Sequence, residues 1–324
     1  MNYEEKLIAF GPVPSRRLGH SLGINNIPPK ICTYSCVYCQ VGRTVHMQVK
    51  RRGFYKTEEI VKDVEKKIRD ADTRGEPINY LTFVPDGEPT LDIHLGEEIK
   101  MLKKLGIKIA VITDASLIGR EDVRDDLAEA DWVSVKIDAV STDIWRRINR
   151  PHRSLNLDEI LGGILEFSQR FGGILVTETM IIDGINDMTE ELEKIADFIS
   201  GVNPQKSYLS IPTRPPAEKR IQPASEHALS AAYQFFCERN IDVEYLVGYE
   251  GNAFAFTGNV EEDLLSITSV HPMREDAVVE YLSKAHAGWE VVEKLIEEQK
   301  LIEVNHRENI FYLRKFQRRK ARHP

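Results

Sequence analysis

A chain of 324 residues can hold one large α/β domain with a small appendage, or two ordinary domains, and in either case it can bury a sizeable core. With 42% hydrophobic and 29% charged residues it falls outside the disordered and fibrous classes. No apolar run approaches the roughly 20 residues of a membrane span, the acidic start MNYEEKLIAF has no secretory h-region, and the net charge of -8 gives no global attraction to nucleic acid, so a cytoplasmic protein is expected.

Along the chain, strand-like and helix-like runs alternate from about Leu22 to Val247, which predicts a parallel sheet with helical crossovers. The first strand is SLGINN, from Ser21, preceded by Arg16 and Arg17 and followed by the cysteine-rich stretch ICTYSCVYCQVGRT. TEEIVKDVEKKIRD then reads as a helix, with Thr57 at its cap and Ile60, Val61, Val64 and Ile68 as its apolar stripe. Strands follow at INYLTFV, IKIAVIT, WVSVKID, ILVTETMII and SYLSIP, each short, β-branched and bounded by turn residues. Before the fifth, NLDEILGGILEF opens a helix with Asn156 as cap and Glu159 in a capping-box position. Six such units fit a partial (β/α)6 TIM-like barrel better than a closed one of eight.

Near Asn259 the pattern changes. Helices around Arg274–Lys284 and in GWEVVEKLIEEQK, then a hairpin of LIEVN and IFYL, read as a winged-helix-like unit. The division is residues 1–258 for the barrel and 259–324 for the small domain with its basic tail, Lys315, Arg318, Arg319, Lys320 and Arg322. The second of those helices carries Glu290, Glu293, Glu297 and Glu298 against Lys294 and Lys300, which disfavours a phosphate-lined groove. Partner docking, covering of an active site, or RNA positioning fit it better than sequence-specific DNA binding.

Cys32, Cys36 and Cys39 lie within eight residues, and the chain has only one other cysteine, Cys237. In a reducing compartment such a cluster reads as a metal site before it reads as disulfides. Structural zinc asks for four ligands from two knuckles, and no second cysteine pair exists; His20 and His46 are the candidates for a fourth. Three thiolates on one loop also suit three corners of an iron-sulfur cubane with one iron left open. A zinc-dependent nucleic-acid-binding protein is the non-enzymatic alternative.

CTYSCVYC has the CxxxCxxC form, with an aromatic residue before the last cysteine, that resembles the radical S-adenosylmethionine (SAM) superfamily. Gly87-Glu88-Pro89, with Asp86 before it, is similar to that family's GGEP motif, and MIIDGIND (Met180–Asp187) to its turn near the adenine. The N-terminal stretch resembles the group related to the wyosine-base tRNA enzymes, without their second cysteine set. The resemblance implies a 4Fe-4S cluster on Cys32, Cys36 and Cys39 whose open iron chelates SAM. Reductive cleavage of SAM would yield a 5'-deoxyadenosyl radical that takes hydrogen from a substrate, with an external electron donor such as flavodoxin or ferredoxin. It also implies cofactor contacts from Tyr38, Asp86, Gly87, Glu88 and Pro89, and by place from Thr113, Ser134, Lys136 and Asp138 at the ends of strands three and four.

Sorted by loop, basic residues gather after strand one (Arg43, Lys50, Arg51, Arg52), strand four (Arg146, Arg147, Arg150, Arg153) and strand six (Arg214, Lys219, Arg220). Loops after strands two, three and five are acidic, with Asp86, Glu88, Asp92, Asp114, Asp183 and Asp187. Basic loops around the mouth of an acidic protein point to an anionic substrate, with RNA leading and a protein or peptide side chain as the second reading. Arg16, Arg17 and Arg214, the last stiffened by PTRPP, are the substrate-contact candidates. Cys237 beside Phe235 and Phe236 reads as a buried core thiol, and Tyr245 and Tyr249 as core aromatics.

Overall fold

The computed structural model describes residues 8–247, 252 and 254–315. Tyr249 and all of the basic tail beyond Lys315 lie outside these residues.

Eight strands form one sheet in strict chain order: β1 (Ala9–Ser15), β2 (Gly19–Ile24), β3 (Tyr80–Phe83), β4 (Lys108–Thr113), β5 (Trp132–Lys136), β6 (Ile174–Met180), β7 (Lys206–Ser210) and β8 (Val243–Leu246). From β2 onward every pairing is parallel, and β1 joins β2 antiparallel at the edge. All six expected strands are present, and β1 and β8 extend the sheet at either end. Pro12 and Pro14 are tolerated in β1 because an edge strand needs ladder donors on one side only. With β1 and β8 at opposite ends of the sheet order, the barrel is open.

Helices α1 (Thr57–Thr73), α2 (Leu95–Lys103), α3 (Glu121–Ala128), α4 (Thr142–Ile148), α5 (Leu157–Arg170), α6 (Thr189–Val202) and α7 (Glu226–Glu238) make the crossovers. Ile60 and Val64 of the expected α1 stripe are fully buried, and Val61 and Ile68 pack against the same core. Asn156 caps α5 by accepting from Asp158 N at 2.8 Å. Thr57 does not cap α1: it is the first helical residue and is buried, with Lys56 at the cap. Cys237 is exposed rather than buried. Phe236 takes the core-facing position of α7, and one residue further along a helix turns the side chain by about 100°.

Inside the barrel, Trp132, Val176 and Tyr208 with Leu18 and Ala110 close the end at which the strands begin. Side-chain alternation then lifts Ser134 and Lys136 on β5, Glu178 and Met180 on β6, and Ser210 on β7 above that plug.

The C-terminal unit runs α8 (Val260–Val270), β9 (Met273–Arg274), α9 (Glu275–Lys284), α10 (Glu290–Glu297), β10 (Leu301–His306) and β11 (Asn309–Arg314), with a three-stranded antiparallel sheet in the order β9-β11-β10. Its core includes Leu264, Ile267, Tyr281 and Leu295 and is continuous with Phe10 and Val13 of β1. A buried polar clamp adds direction to that contact. Lys67 of α1 donates to Asp263 of α8 at 3.0 Å, and the other Asp263 oxygen accepts from Thr257 N at 2.7 Å and Tyr281 Oη at 3.1 Å. Asp263→Ala leaves the buried Lys67 ammonium with only the longer carboxylate contact to Glu262 at 3.6 Å, and costs about 3 kcal/mol in denaturant unfolding; Lys67→Met with Asp263→Leu recovers most of it.

Candidate functional site: a cysteine-lined cavity at the strand ends

The cysteine loop crosses the carboxyl ends of β2 and β3, where loops of a barrel build sites. Gly87 sets the approach: Ile31 and Gly87 form a parallel bridge, and a Cβ on Gly87 would lie 1.9 Å from the Ile31 carbonyl oxygen. Only glycine lets the strand end come this near the residue preceding Cys32.

A cavity of about 360 Å³ opens there, and Cys32, Cys36 and Cys39 all line it. Of the other residues singled out by sequence, Tyr38, Asp86, Gly87, Thr113, Lys136, Arg16, Arg17 and Arg214 line it as well. Glu88, Pro89, Ser134 and Asp138 are not on its wall and are buried behind it. Neither His20 nor His46 reaches it.

Glu88 is tied into the wall by a set of hydrogen bonds. Only 1% exposed, it accepts from Thr90 N (3.0 Å), Thr90 Oγ1 (2.5 Å) and Thr113 Oγ1 (2.6 Å) on one oxygen and from Asp114 N (2.8 Å) on the other. Burial and the neighbouring Asp114 push its carboxyl up, against the pull of those four donors. Glu88 fixes the ends of β3 and β4, while Asp86 and Asp114 line the cavity, Asp114 itself accepting from Thr33 Oγ1 at 2.8 Å and Ser116 N at 2.9 Å. Asp86 meets the Lys30 ammonium at 3.2 Å, yet burial still pushes it up to about 6.

Asp138 likewise organises from behind the wall. One oxygen accepts from Tyr38 Oη and from Asn149 Nδ2 (2.7 Å), and the other from Met180 N (2.9 Å). Asn186, in the turn resembling the adenine-side motif, donates to the carbonyls of Asp138 and Met180, both at 2.8 Å, and is itself buried. Of that turn's neighbourhood, Met180 is on the cavity wall.

The interior floor carries a charge group that sequence reading missed. Glu178, 8% exposed, accepts from Lys136 Nζ at 2.9 Å, from Ser210 Oγ at 3.2 Å and from Arg17 Nη1 at 2.7 Å. Burial raises its carboxyl, but Lys136 and Arg17 outweigh that and hold it at about 2. Burial disfavours the Lys136 ammonium in turn, and Glu178 and Asp138 outweigh it and push its pKa up. Lys136 Nζ also stands 5.0 Å from the centre of the Tyr38 ring.

Several cations of the basic loops are neutralised by carboxylates. Glu218 pairs with both Arg43 (2.8 Å) and Arg150 (2.6 Å), and Arg51 is clamped by Asp122 (2.7 Å) and Asp126. Arg146, Arg153, Lys219 and Arg220 are exposed. Arg214 donates to Gln40 Oε1 at 2.8 Å and meets His271 Nε2 at 2.9 Å, while Gln40 donates to the Val270 carbonyl at 3.0 Å. Val270 and His271, at the end of α8, line the cavity, so the C-terminal unit supplies part of its wall.

The three thiols fit a metal-sulfur group by their chemistry. Burial raises all three, and Asp114, Asp138 and Asp86 respectively raise Cys32, Cys36 and Cys39 further, so they ionise when a cationic centre takes up the negative charge. Among the described residues no three His, Cys, Asp or Glu side chains converge on one ion position. A cubane does not ask for that, because each thiolate binds its own iron.

The chain is similar to known proteins over most of its length. A protein of Methanocaldococcus jannaschii named UPF0026 protein MJ1312 is 49% identical over 315 residues, covering 96% of this chain and 97% of the relative. A radical SAM methyltransferase from Sphaerobacter thermophilus shares the fold at a TM-score of 0.51, with 17% identity over 70% of this chain and 66% of that one. TYW1 with a lysine-pyruvate adduct bound overlaps 91% of this chain and 80% of its own, at 14% identity and a TM-score of 0.46. Residues 26–199, from just before the cysteine loop into α6, match the radical SAM superfamily. By that match and by near full-length similarity to a UPF0026 protein, the chain belongs to the radical SAM superfamily, whose members use a 4Fe-4S cluster and S-adenosylmethionine.

Proposed function

We propose that this protein is a cytoplasmic radical SAM enzyme acting on an anionic substrate, with an RNA base as the leading candidate. Cys32, Cys36 and Cys39 would hold the cluster, which would supply the electron for cleavage of SAM to a hydrogen-abstracting radical, with an external reductant such as flavodoxin or ferredoxin feeding it. Everything else is the work of this chain's side chains. Asp86 and Asp114 offer acceptors to a cationic amino group beside the cysteines, and Lys136, fixed by Glu178, offers a donor to a carboxylate. Tyr38, held by Asp138 under Lys136, offers an aromatic face. The cysteine loop, the strand ends and the end of α8 together wall the reacting space.

The observation that carries the substrate reading is the charge on the same wall as the cysteines: Arg16, Arg17, Lys30, Lys136 and Arg214 against Asp86, Asp114 and Glu178. The surplus is cationic, and Arg146 on α4, Arg153 after it, and Lys219 and Arg220 after β7 add exposed positive charge. In this reading the C-terminal unit is a winged-helix-like cover for the cavity, which would explain why its acidic α10 is compatible with an RNA substrate: the surface facing the substrate is the end of α8.

Comparative mass spectrometry of nucleosides and proteome in a deletion strain tests this. One modified nucleoside is expected to vanish and to return with the intact gene. An unchanged nucleoside profile alongside a missing side-chain modification would replace the RNA reading with the peptide one.

A further inference from the structure

After α4 the chain runs as a strap along the cysteine loop. Val37 N donates to Ile148 O at 2.9 Å, Ser35 N to Asn149 O at 3.0 Å, and His152 N to Thr33 O at 2.9 Å. Arg150, between them, is left-handed at φ 46°, a conformation that a non-glycine residue keeps only where its surroundings dictate it. The strap thus presents Asn149 at one place relative to the thiols.

Asn149 is 3% exposed, and its Nδ2 lies 3.5 Å from Cys36 Sγ and 2.7 Å from Asp138 Oδ2. Its orientation is dictated by chemistry. With the amide turned over, its oxygen would face the Asp138 carboxylate, acceptor against acceptor. Asp138 is itself tied by Tyr38 Oη and Met180 N, so the donor is aimed by a fixed partner. Cys32 contrasts with this: its neighbour at 3.5 Å is the Asp114 carboxylate, which accepts from a thiol and offers nothing to a thiolate.

We infer that Asn149 is a positioning residue for the cluster, donating an N–H to the Cys36 thiolate and thereby making the cluster easier to reduce. A hydrogen bond to a ligand sulfur stabilises the more negative, one-electron-reduced form and raises the reduction potential. The electron comes from the external reductant, and no atom of Asn149 is consumed.

The test is an EPR-monitored titration of anaerobically reconstituted protein against dithionite. Asn149→Leu, of similar volume and without a donor, shifts the midpoint to more negative potential at unchanged iron and sulfide content, and Asn149→Gln recovers part of the shift. An unshifted midpoint in fully loaded Asn149→Leu overturns the inference. Should that variant fail to take up iron, the apo protein still decides. Iodoacetamide labelling of Cys36 relative to Cys39, read by peptide mass spectrometry, slows at least about threefold in Asn149→Leu because the thiolate has lost its donor; equal relative rates overturn the inference. The inference rests on the three cysteines holding the cluster. Wild-type protein that takes up no iron would sink that reading, whereas an unshifted potential in loaded protein sinks only the role of Asn149.

Discussion

Glu178→Ala destabilises the protein by about 3 kcal/mol, because it leaves the half-buried cations Lys136 and Arg17 without their shared carboxylate. The loss appears as a lower denaturant midpoint, and it exceeds what truncating a surface glutamate does, typically within about 0.5 kcal/mol. The same group sets a pH dependence. Its carboxyl is held at about 2 in the folded protein against an ordinary 4.5, so its contribution is fully present above pH 4.5 and is lost as pH falls toward 2. At one pKa unit per 1.36 kcal/mol, that is about 3 kcal/mol at neutral pH. Glu178→Gln, which cannot titrate, is expected to start lower and to show a correspondingly flatter stability profile between pH 5 and 2. A wild-type profile no steeper than that of the glutamine variant would contradict the charge assignment.

Cys39→Ala carries the largest functional effect. A cubane held by two thiolates instead of three loses a corner, and iron and sulfide after anaerobic reconstitution are expected to fall to background. Stability of the apo fold should change little, because Cys39 is only partly buried on the cavity wall and its neighbours are those of a loop. Cys237→Ala is the matched control: exposed on α7 and absent from the cavity, it leaves iron content unchanged. Equal iron in the two variants would contradict the assignment of ligands.

The barrel strands from β2 to β7 were readable because each is a short β-branched run between turn residues, a local signal that survives without tertiary context. β1 was hidden by its own prolines, which local rules count against a strand and which only the long-range fact of its edge position makes acceptable. Helix α8 was missed for a similar reason. Ser266, Thr268 and Ser269 are buried there alongside its leucines, so its residues do not sort into a polar and an apolar face. The meeting of the three cysteines on one cavity wall was legible because their spacing within one loop is a sequence property. Glu178 and Asn149 were not, because each acts through partners far along the chain: Arg17 is 161 residues from Glu178, and Cys36 is 113 residues from Asn149. The ILVTETM run does place Glu178 on the same face as Val176 and Met180. A charge at a barrel-facing position of a central strand was the available clue.

Glu88 has partners that the motif alone does not show. Its carboxylate accepts from Thr90, Thr113 and the Asp114 amide. Glu88→Gln would therefore act first on the fold around β3 and β4. Asp114→Asn removes a carboxylate that does line the cavity, and is the more direct probe of binding there.

Radical SAM chemistry in this protein is tested most directly by anaerobic incubation of iron-loaded wild-type protein with SAM and dithionite, followed by chromatography of the products. The expected product is 5'-deoxyadenosine, formed in proportion to cluster content and absent in Cys39→Ala. A colourless protein that carries zinc, or a fully loaded iron-sulfur protein that leaves SAM intact, would contradict it.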